Sequence, residues 1–107
     1  MFIRNIKEFK KKTNKKKIIC LDYGKKRVGV AISDEYHKIT IPMKTLLNNK
    51  ELNKEIKILI DDFDIGGVLV GLPIDENKKK NKMSQSIIDK IKNTIFFLKN
   101  NGIKLPF

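Results

Sequence analysis

The chain has 107 residues, of which 40% are hydrophobic, and this length accommodates one small domain at most. Its 24 basic residues outnumber 12 acidic ones, for a formal net charge of +12, and residues 1–17 alone carry eight basic residues and one acid. A positive field of this kind favours polyanionic partners, nucleic acid above all, although lysine-rich compositional drift also raises charge. No stretch reaches the roughly 18 apolar residues of a membrane span, which excludes a membrane-spanning protein.

The single cysteine, Cys20, limits the disulfide and metal-binding chemistry that the chain supports. One cysteine forms no intramolecular disulfide, and the sequence has no CxxC pair for zinc. This usage predicts a reducing, cytoplasmic setting. Cys20 lies in an apolar run and is expected to be a small core residue.

Residues 1–16 are predicted to be a basic N-terminal extension. Four apolar residues recur there at helical spacing: Phe2, Ile3, Ile6 and Phe9. This pattern predicts a short amphipathic helix. We favour a helix that docks on the domain or frays; a surface anchor for membrane or RNA and a partly ordered tail are the alternatives. Residues 10–17 are expected to form a solvated linker.

Short apolar runs separated by polar turns predict a three-stranded meander after this extension. Strands are expected over 17–23, 28–33 and 39–46. The third is placed at a sheet edge and antiparallel, because Pro42 lacks the N–H that a central strand needs. Gly29 and Ala31 share one face of the second strand, which suggests that another element packs close to that face.

The second half of the chain alternates helical and strand patterns. Apolar periodicity predicts a helix over 50–63, a central strand over 68–72, a helix over 83–100 and the start of a strand at 103–107. Asn48 or Asn49 is expected to cap the first helix, and Gly66-Gly67 to end it. The order β-β-β-α-β-α-β defines an α/β fold with a mixed sheet in which the first and fourth strands are neighbours.

Two aspartates follow strands that are expected to be adjacent. Asp22 ends the first strand and Asp75 lies in the loop after the fourth. Ligand sites in such sheets collect at the carboxyl ends of parallel strands, so both carboxylates can face one crevice. Paired carboxylates suit Mg²⁺ or Mn²⁺. Lys25, Lys26 and Arg27 would then contact a phosphodiester backbone, although a strand-end aspartate is also a common turn residue.

Several other kinds of site are excluded by residue type. His37 is the only histidine and falls in a predicted exposed turn, so neither a catalytic triad nor a histidine-based metal site can be assembled. Ser84 and Ser86 have no base partner, and no Walker loop is present. The turn between the first two strands, which starts with Asp22 and Gly24, is also similar to the phosphate-binding hairpin of actin-like ATPases. This similarity leaves a nucleotide-binding alternative open.

Two motifs resemble those of one known family. Residues 21–34, LDYGKKRVGVAISD, are followed at the family's distance by Val70-Gly71-Leu72-Pro73, and Gln85 in the next helix also fits. On these residues the chain resembles the YqgF family of Holliday junction resolvase-like proteins, also described as pre-16S rRNA nucleases. The similarity covers about residues 17–107.

The resemblance implies a ribonuclease H-like fold and a cytoplasmic, Mg²⁺- or Mn²⁺-dependent nuclease that matures the 5′ end of 16S rRNA, with pre-16S rRNA or branched DNA as substrate. It makes Asp22 a metal ligand. In the family, two further acids complete the metal site, one in an Asp-Glu-Arg motif and one in a last helix, and no residue of this chain matches either. In the loop after Val70-Gly71-Leu72-Pro73, residues 78–82 stand where the family usually has glycines. We therefore expect a domain that is incomplete at its C terminus and lacks the final helix, with weak metal binding and an uncovered sheet face prone to self-association. A catalytically inactive, nucleic-acid-binding remnant is the alternative.

Overall fold

The computed structural model describes residues 5–71 and 82–107. The elements in chain order are α1 (Ile6–Lys12), β1 (Lys17–Tyr23), β2 (Arg27–Ser33), β3 (Thr40–Leu47), α2 (Leu52–Asp62), β4 (Ile65–Gly71) and α3 (Lys82–Asn100). The described strands form one sheet in the order β3-β2-β1-β4. β2 runs antiparallel to both β1 and β3, whereas β4 runs parallel to β1. The predicted meander, the edge position of β3 and the pairing of the first and fourth strands are confirmed.

One face of the sheet carries the core. Alternate strand residues such as Leu21 and Val28 are buried there, in one cluster with the apolar stripes of α2 and α3. Ile56 of α2 and Ile91 of α3 are among the most deeply buried side chains in this cluster. Each such side chain contributes about 1.5–3 kcal/mol on burial, so this layer provides most of the stabilisation.

The opposite face is covered at one end by α1. Phe9 is 3% exposed and Thr13 is fully buried. A β-carbon on Gly67 would collide with the methyl group of Thr13, so the glycine allows α1 to approach β4 closely. Thr13 Oγ1 also donates a hydrogen bond to the carbonyl of Phe9 (2.8 Å). The helix is therefore docked, and the prediction of a solvated linker is wrong at Thr13.

The predicted boundaries of α2 need correction. Neither Asn48 nor Asn49 is its N-cap residue; Glu51 occupies that position without a side-chain capping bond. Asn49 instead accepts a hydrogen bond from the backbone N–H of Glu51 (2.9 Å). The helix ends at Asp62, and Asp64 takes up the left-handed conformation (φ 52°). The pair Gly66-Gly67, predicted to end the helix, belongs to β4 because this segment pairs with β1, and the absence of side chains lets Thr13 and Lys16 approach it closely.

β4 is less enclosed than predicted. Among the described strands it lies at the sheet edge, and Leu69 is 42% exposed. Beyond it, the N–H of Val68 donates to the carbonyl of Pro106 (2.9 Å). The predicted strand at 103–107 is therefore represented by a segment that runs beside β4 without being a regular strand. Gly102 ends α3 in the predicted left-handed conformation (φ 81°).

The outer surfaces of the described helices carry many charged residues but also exposed apolar side chains, such as Ile58 of α2 and Phe96 of α3. In α2, for example, Lys57 and Asp61 form an exposed ion pair (2.7 Å), which contributes little to stability. Within residues 5–71 and 82–107, no helix is both long enough and apolar enough to cross a membrane.

Candidate functional site

Asp22 occupies the penultimate position of β1, on the sheet face opposite α2 and α3. It pairs with Gly29 of β2 on one side and with Gly71 of β4 on the other. A β-carbon on Gly29 would lie 3.7 Å from Cβ of Asp22, and one on Gly71 would lie 3.8 Å from its Oδ1. Because both neighbours lack side chains, the exposed carboxylate is accessible to a ligand from both sides.

A shallow cavity of about 540 Å³ lies over the sheet beside Asp22. Its lining includes Cys20, Ala31 and Leu69. Cys20 was predicted to be a core residue, but it is half-buried at this open face of the sheet. Burial raises the pKa of its thiol. The thiol therefore stays protonated at neutral pH, which makes it a poor nucleophile and metal ligand. Within the part of the chain that the structure describes, this cavity lies where an element was expected to pack against Gly29 and Ala31.

The β1–β2 turn carries three cations that begin three residues after Asp22. Lys25, Lys26 and Arg27 are all exposed. The turn is closed by a hydrogen bond from the N–H of Gly24 to the carbonyl of Arg27 (2.8 Å), and a β-carbon on Gly24 would lie only 3.0 Å from that oxygen. Among the ion pairs of the described residues, none involves these three side chains. They are available to an anion.

Asn48 connects this turn to the rest of the domain. Its backbone N–H donates to the carbonyl of Lys26 (2.8 Å), and its Nδ2 donates to the carbonyl of Gly24 (2.8 Å). Its Oδ1 accepts a hydrogen bond from Nζ of Lys90 on α3 (2.9 Å). No local sequence pattern predicts this connection, because the side-chain partners of Asn48 lie 24 and 42 residues away.

The described residues supply one of the two predicted carboxylates. Asp75 lies outside the described residues, and within residues 5–71 and 85–107 no group of three His, Cys, Asp or Glu side chains is placed to hold a metal ion. Mg²⁺ in proteins is often held by one or two carboxylates together with substrate phosphates and water. The exposed Asp22 fits that mode of binding. A two-metal site that depends on several carboxylates does not fit the described residues.

Other residues singled out in the sequence have structural contacts. His37 is half-buried and in the left-handed conformation (φ 58°), and its Nε2 donates to the carbonyl of Lys16 (2.8 Å), so the prediction of a freely exposed turn residue is wrong. Gln85 donates to Asp89 one turn further along α3 (3.2 Å). Ser86 is exposed on α3 and faces a small cleft beside the β1–β2 turn.

A mixed sheet of this topology, with helices over one face and a solvent-exposed aspartate near the end of β1, defines a ribonuclease H-like domain of the Holliday junction resolvase type. The comparison with family models agrees. Residues 16–101 match the model described as "RuvX: Holliday junction resolvase". The chain belongs to this family, and α1 (Ile6–Lys12) precedes the matched region.

Individual relatives carry one name, "Putative pre-16S rRNA nuclease". The chain is 45% identical over 87 residues to the protein from Pelagibacter ubique (strain HTCC1062), which covers 78% of this chain and 58% of the relative. Identity to the protein from Ehrlichia ruminantium (strain Welgevonden) is 40% over 79 residues, which cover 70% of this chain and 50% of the relative. For Rickettsia typhi (strain ATCC VR-144 / Wilmington) it is 31% over 101 residues, covering 89% and 65%. The chain thus spans about half to two thirds of the length of these relatives.

Proposed function

We propose that this protein is a divalent-metal-dependent nuclease that hydrolyses phosphodiester bonds in pre-16S rRNA during processing of the 16S rRNA 5′ end in the cytoplasm. The observation that carries the proposal is the exposed Asp22 carboxylate between two glycines, with three exposed cations in the turn that follows its strand. The name shared by the relatives supports an RNA substrate. The family description makes branched DNA the alternative substrate.

In this proposal, Asp22 and Asp75 would hold Mg²⁺ or Mn²⁺, and the bound cation would supply positive charge that stabilises the negative charge developing on the scissile phosphate. Lys25 and Lys26 neutralise neighbouring phosphates as point charges, and Arg27 has the planar fork that binds a phosphate through two parallel hydrogen bonds. Gly29 and Gly71 leave the space in which the backbone of the substrate reaches the carboxylate.

A second candidate function is nucleic-acid binding without cleavage. It is favoured by the described residues, which place a single carboxylate at the site. In this case the exposed cations of the β1–β2 turn still contact phosphate, but the nucleic acid is not cleaved because too few side chains hold the metal ion. In this candidate the open sheet face around Leu69 is a surface for self-association.

The two candidates differ in a cleavage experiment on the purified full chain. An end-labelled RNA that contains the 5′ leader of pre-16S rRNA, and a four-way DNA junction, are incubated with Mn²⁺, Mg²⁺ or EDTA. The nuclease proposal expects metal-dependent cleavage that falls at least about a hundredfold in Asp22→Asn and persists in Asp62→Asn, a matched variant at an exposed carboxylate of α2. Equal cleavage by the wild type and Asp22→Asn would overturn it. Salt-sensitive RNA binding without cleavage would support the second candidate instead.

A further inference from the structure

A small cleft separates the β1–β2 turn from α3. Its volume is about 130 Å³, and it is lined by Gly24, Lys25, Asn48, Ser86, Ile87 and Lys90. Apart from the buried Ile87, these residues offer ammonium, amide and hydroxyl groups and backbone. No carboxylate is among these lining residues in the described part of the chain. The backbone N–H groups of Gly24 and Asn48 already donate within the protein, so the groups that this lining offers to an anion are chiefly the ammonium groups of Lys25 and Lys90 and the hydroxyl of Ser86.

A second cleft, of about 230 Å³, adjoins the first. The two clefts share Asn48 and Lys90, and the second adds Lys50 together with further amide side chains. Three lysines from three different elements, Lys25, Lys50 and Lys90, thus surround Asn48, and all three are exposed. No carboxylate lines the second cleft within the described residues either. Positive charge gathered in this way attracts polyanions.

The hydrogen bond from Lys90 to Asn48 holds this arrangement in place. It uses one of the three N–H donors of the ammonium group and leaves two for a ligand. The same Asn48 side chain donates to the carbonyl of Gly24, so Lys90 and the turn that carries Lys25 are positioned by one residue. The nearest acid along α3, Asp89, accepts a hydrogen bond from Gln85.

We infer that Lys25, Ser86 and Lys90 form a subsite for one backbone phosphate of the bound nucleic acid, and that Asn48 is its positioning residue. The inference rests on the proposed nucleic-acid substrate. The subsite lies on the α3 side of the β1–β2 turn, whereas Asp22 lies on the opposite face of the sheet. A strand that contacts both therefore passes around the β1–β2 turn, which also carries the exposed Lys26 and Arg27.

The test measures binding of a fluorescently labelled RNA oligonucleotide by anisotropy over a series of KCl concentrations. EDTA is present throughout, so that cleavage does not contribute. Lys90→Gln is expected to weaken binding about three- to tenfold at low salt and to reduce the slope of log K against log salt by about 0.7–1, the loss of one phosphate contact. Ser86→Ala is expected to weaken binding two- to threefold without changing the slope. Lys92→Gln is the matched control, since Lys92 is exposed on α3 and lines neither cleft.

Asn48 is tested by two substitutions that both remove the Nδ2 donor to the carbonyl of Gly24. Asn48→Asp keeps an acceptor for Lys90 but places a negative charge in the cleft, whereas Asn48→Ala adds no charge. Asn48→Asp is expected to bind RNA more weakly than Asn48→Ala at low salt, by more than any difference in their thermal stability accounts for, and equal binding by the two variants would contradict an anion subsite beside Asn48. Thermal unfolding of both variants separates loss of folding from loss of binding.

The outcomes of these experiments distinguish the phosphate subsite from the proposed nuclease activity. Equal losses in Lys90→Gln and Lys92→Gln, or an unchanged salt slope in Lys90→Gln, would overturn the subsite and leave the nuclease proposal intact. The expected slopes combined with absent metal-dependent cleavage would support the subsite and overturn the nuclease proposal alone. A wild-type chain that does not bind RNA or branched DNA would overturn both.

Discussion

Asp22 and Gly71 lie opposite each other across the parallel strands β1 and β4, with Oδ1 of the aspartate 3.8 Å from the place that a β-carbon at position 71 would take. This is an ordinary van der Waals distance, so one methyl group fits. The backbone of Gly71 is not in the left-handed region, so its conformation does not require glycine. The advantage of glycine at this position is the space that it leaves beside the carboxylate.

Under the proposed function, this relationship predicts that Gly71→Val weakens binding of a divalent cation at Asp22. Its branched side chain would fill the space next to Asp22, and a reduction in Mn²⁺ affinity and cleavage on the order of tenfold is expected. Thermal stability should stay near that of the wild type, because β-branched residues suit strands. Titration of Mn²⁺ followed by electron paramagnetic resonance measures the affinity, and Gly71→Ala is the control. Equal Mn²⁺ affinity in both variants would contradict the prediction.

A second prediction concerns the docking of α1. Phe9 is 3% exposed, whereas Ile6 of the same helix is 56% exposed. Phe9→Ala is expected to lower the free energy of unfolding by about 3 kcal/mol, because it leaves a cavity between α1 and β4. Ile6→Ala should change it by less than about 0.5 kcal/mol. Urea denaturation provides both values, and a small effect at both positions would show that α1 adds little to the stability of the domain.

The hydroxyl of Tyr23 gives a third prediction. Within the described residues this buried oxygen has no hydrogen-bond partner. Burial raises the pKa of Tyr23 and the nearby Thr94 opposes that rise, yet the single hydroxyl proton of Thr94 has two other acceptors in reach, Oδ1 of Asn53 and the carbonyl of Lys90. Tyr23→Phe is therefore expected to leave stability unchanged or to raise it by up to about 1 kcal/mol. The exposed Tyr36 provides the control, Tyr36→Phe. A loss above about 1 kcal/mol in Tyr23→Phe alone would reveal a partner for the hydroxyl.

The β2–β3 turn predicts a specific pH dependence. Oδ1 of Asp34 accepts hydrogen bonds from the backbone N–H groups of Ile39 (3.0 Å) and Lys38 (2.7 Å), and these bonds, that of Ile39 foremost, lower the pKa of the carboxyl. A carboxyl with a lowered folded-state pKa stabilises the fold above its unfolded pKa, about 3.9, and this contribution is lost as the pH falls through the folded pKa.

The wild type is therefore expected to be more stable than Asp34→Asn at neutral pH, by a margin that is constant down to about pH 5 and shrinks below about pH 4. Urea denaturation at a series of pH values measures the margin. Glu35→Gln, at the exposed neighbouring position, controls for general charge effects. A margin that grows towards low pH would contradict the assigned sign.

Local patterns predicted most of the elements. Alternating apolar residues in β1 and β2 and helical spacing in α2 and α3 were sufficient, because each of these elements buries one face of its own. The prediction failed where distant residues decide the conformation. Gly66-Gly67 fits the pattern of a helix terminator, but pairing with β1 makes these glycines part of β4, and Thr13 and Lys16 pack over them.

The sequence alone determined the family, the order of the elements and the position of Asp22 beside a basic turn, because all of these depend on residues that are close along the chain. Only the tertiary structure placed glycines on both sides of that carboxylate and brought Asn48, Lys25 and Lys90 together. Hydrogen bonds between a turn, a loop and a helix depend on how the chain packs, and no local pattern records that packing.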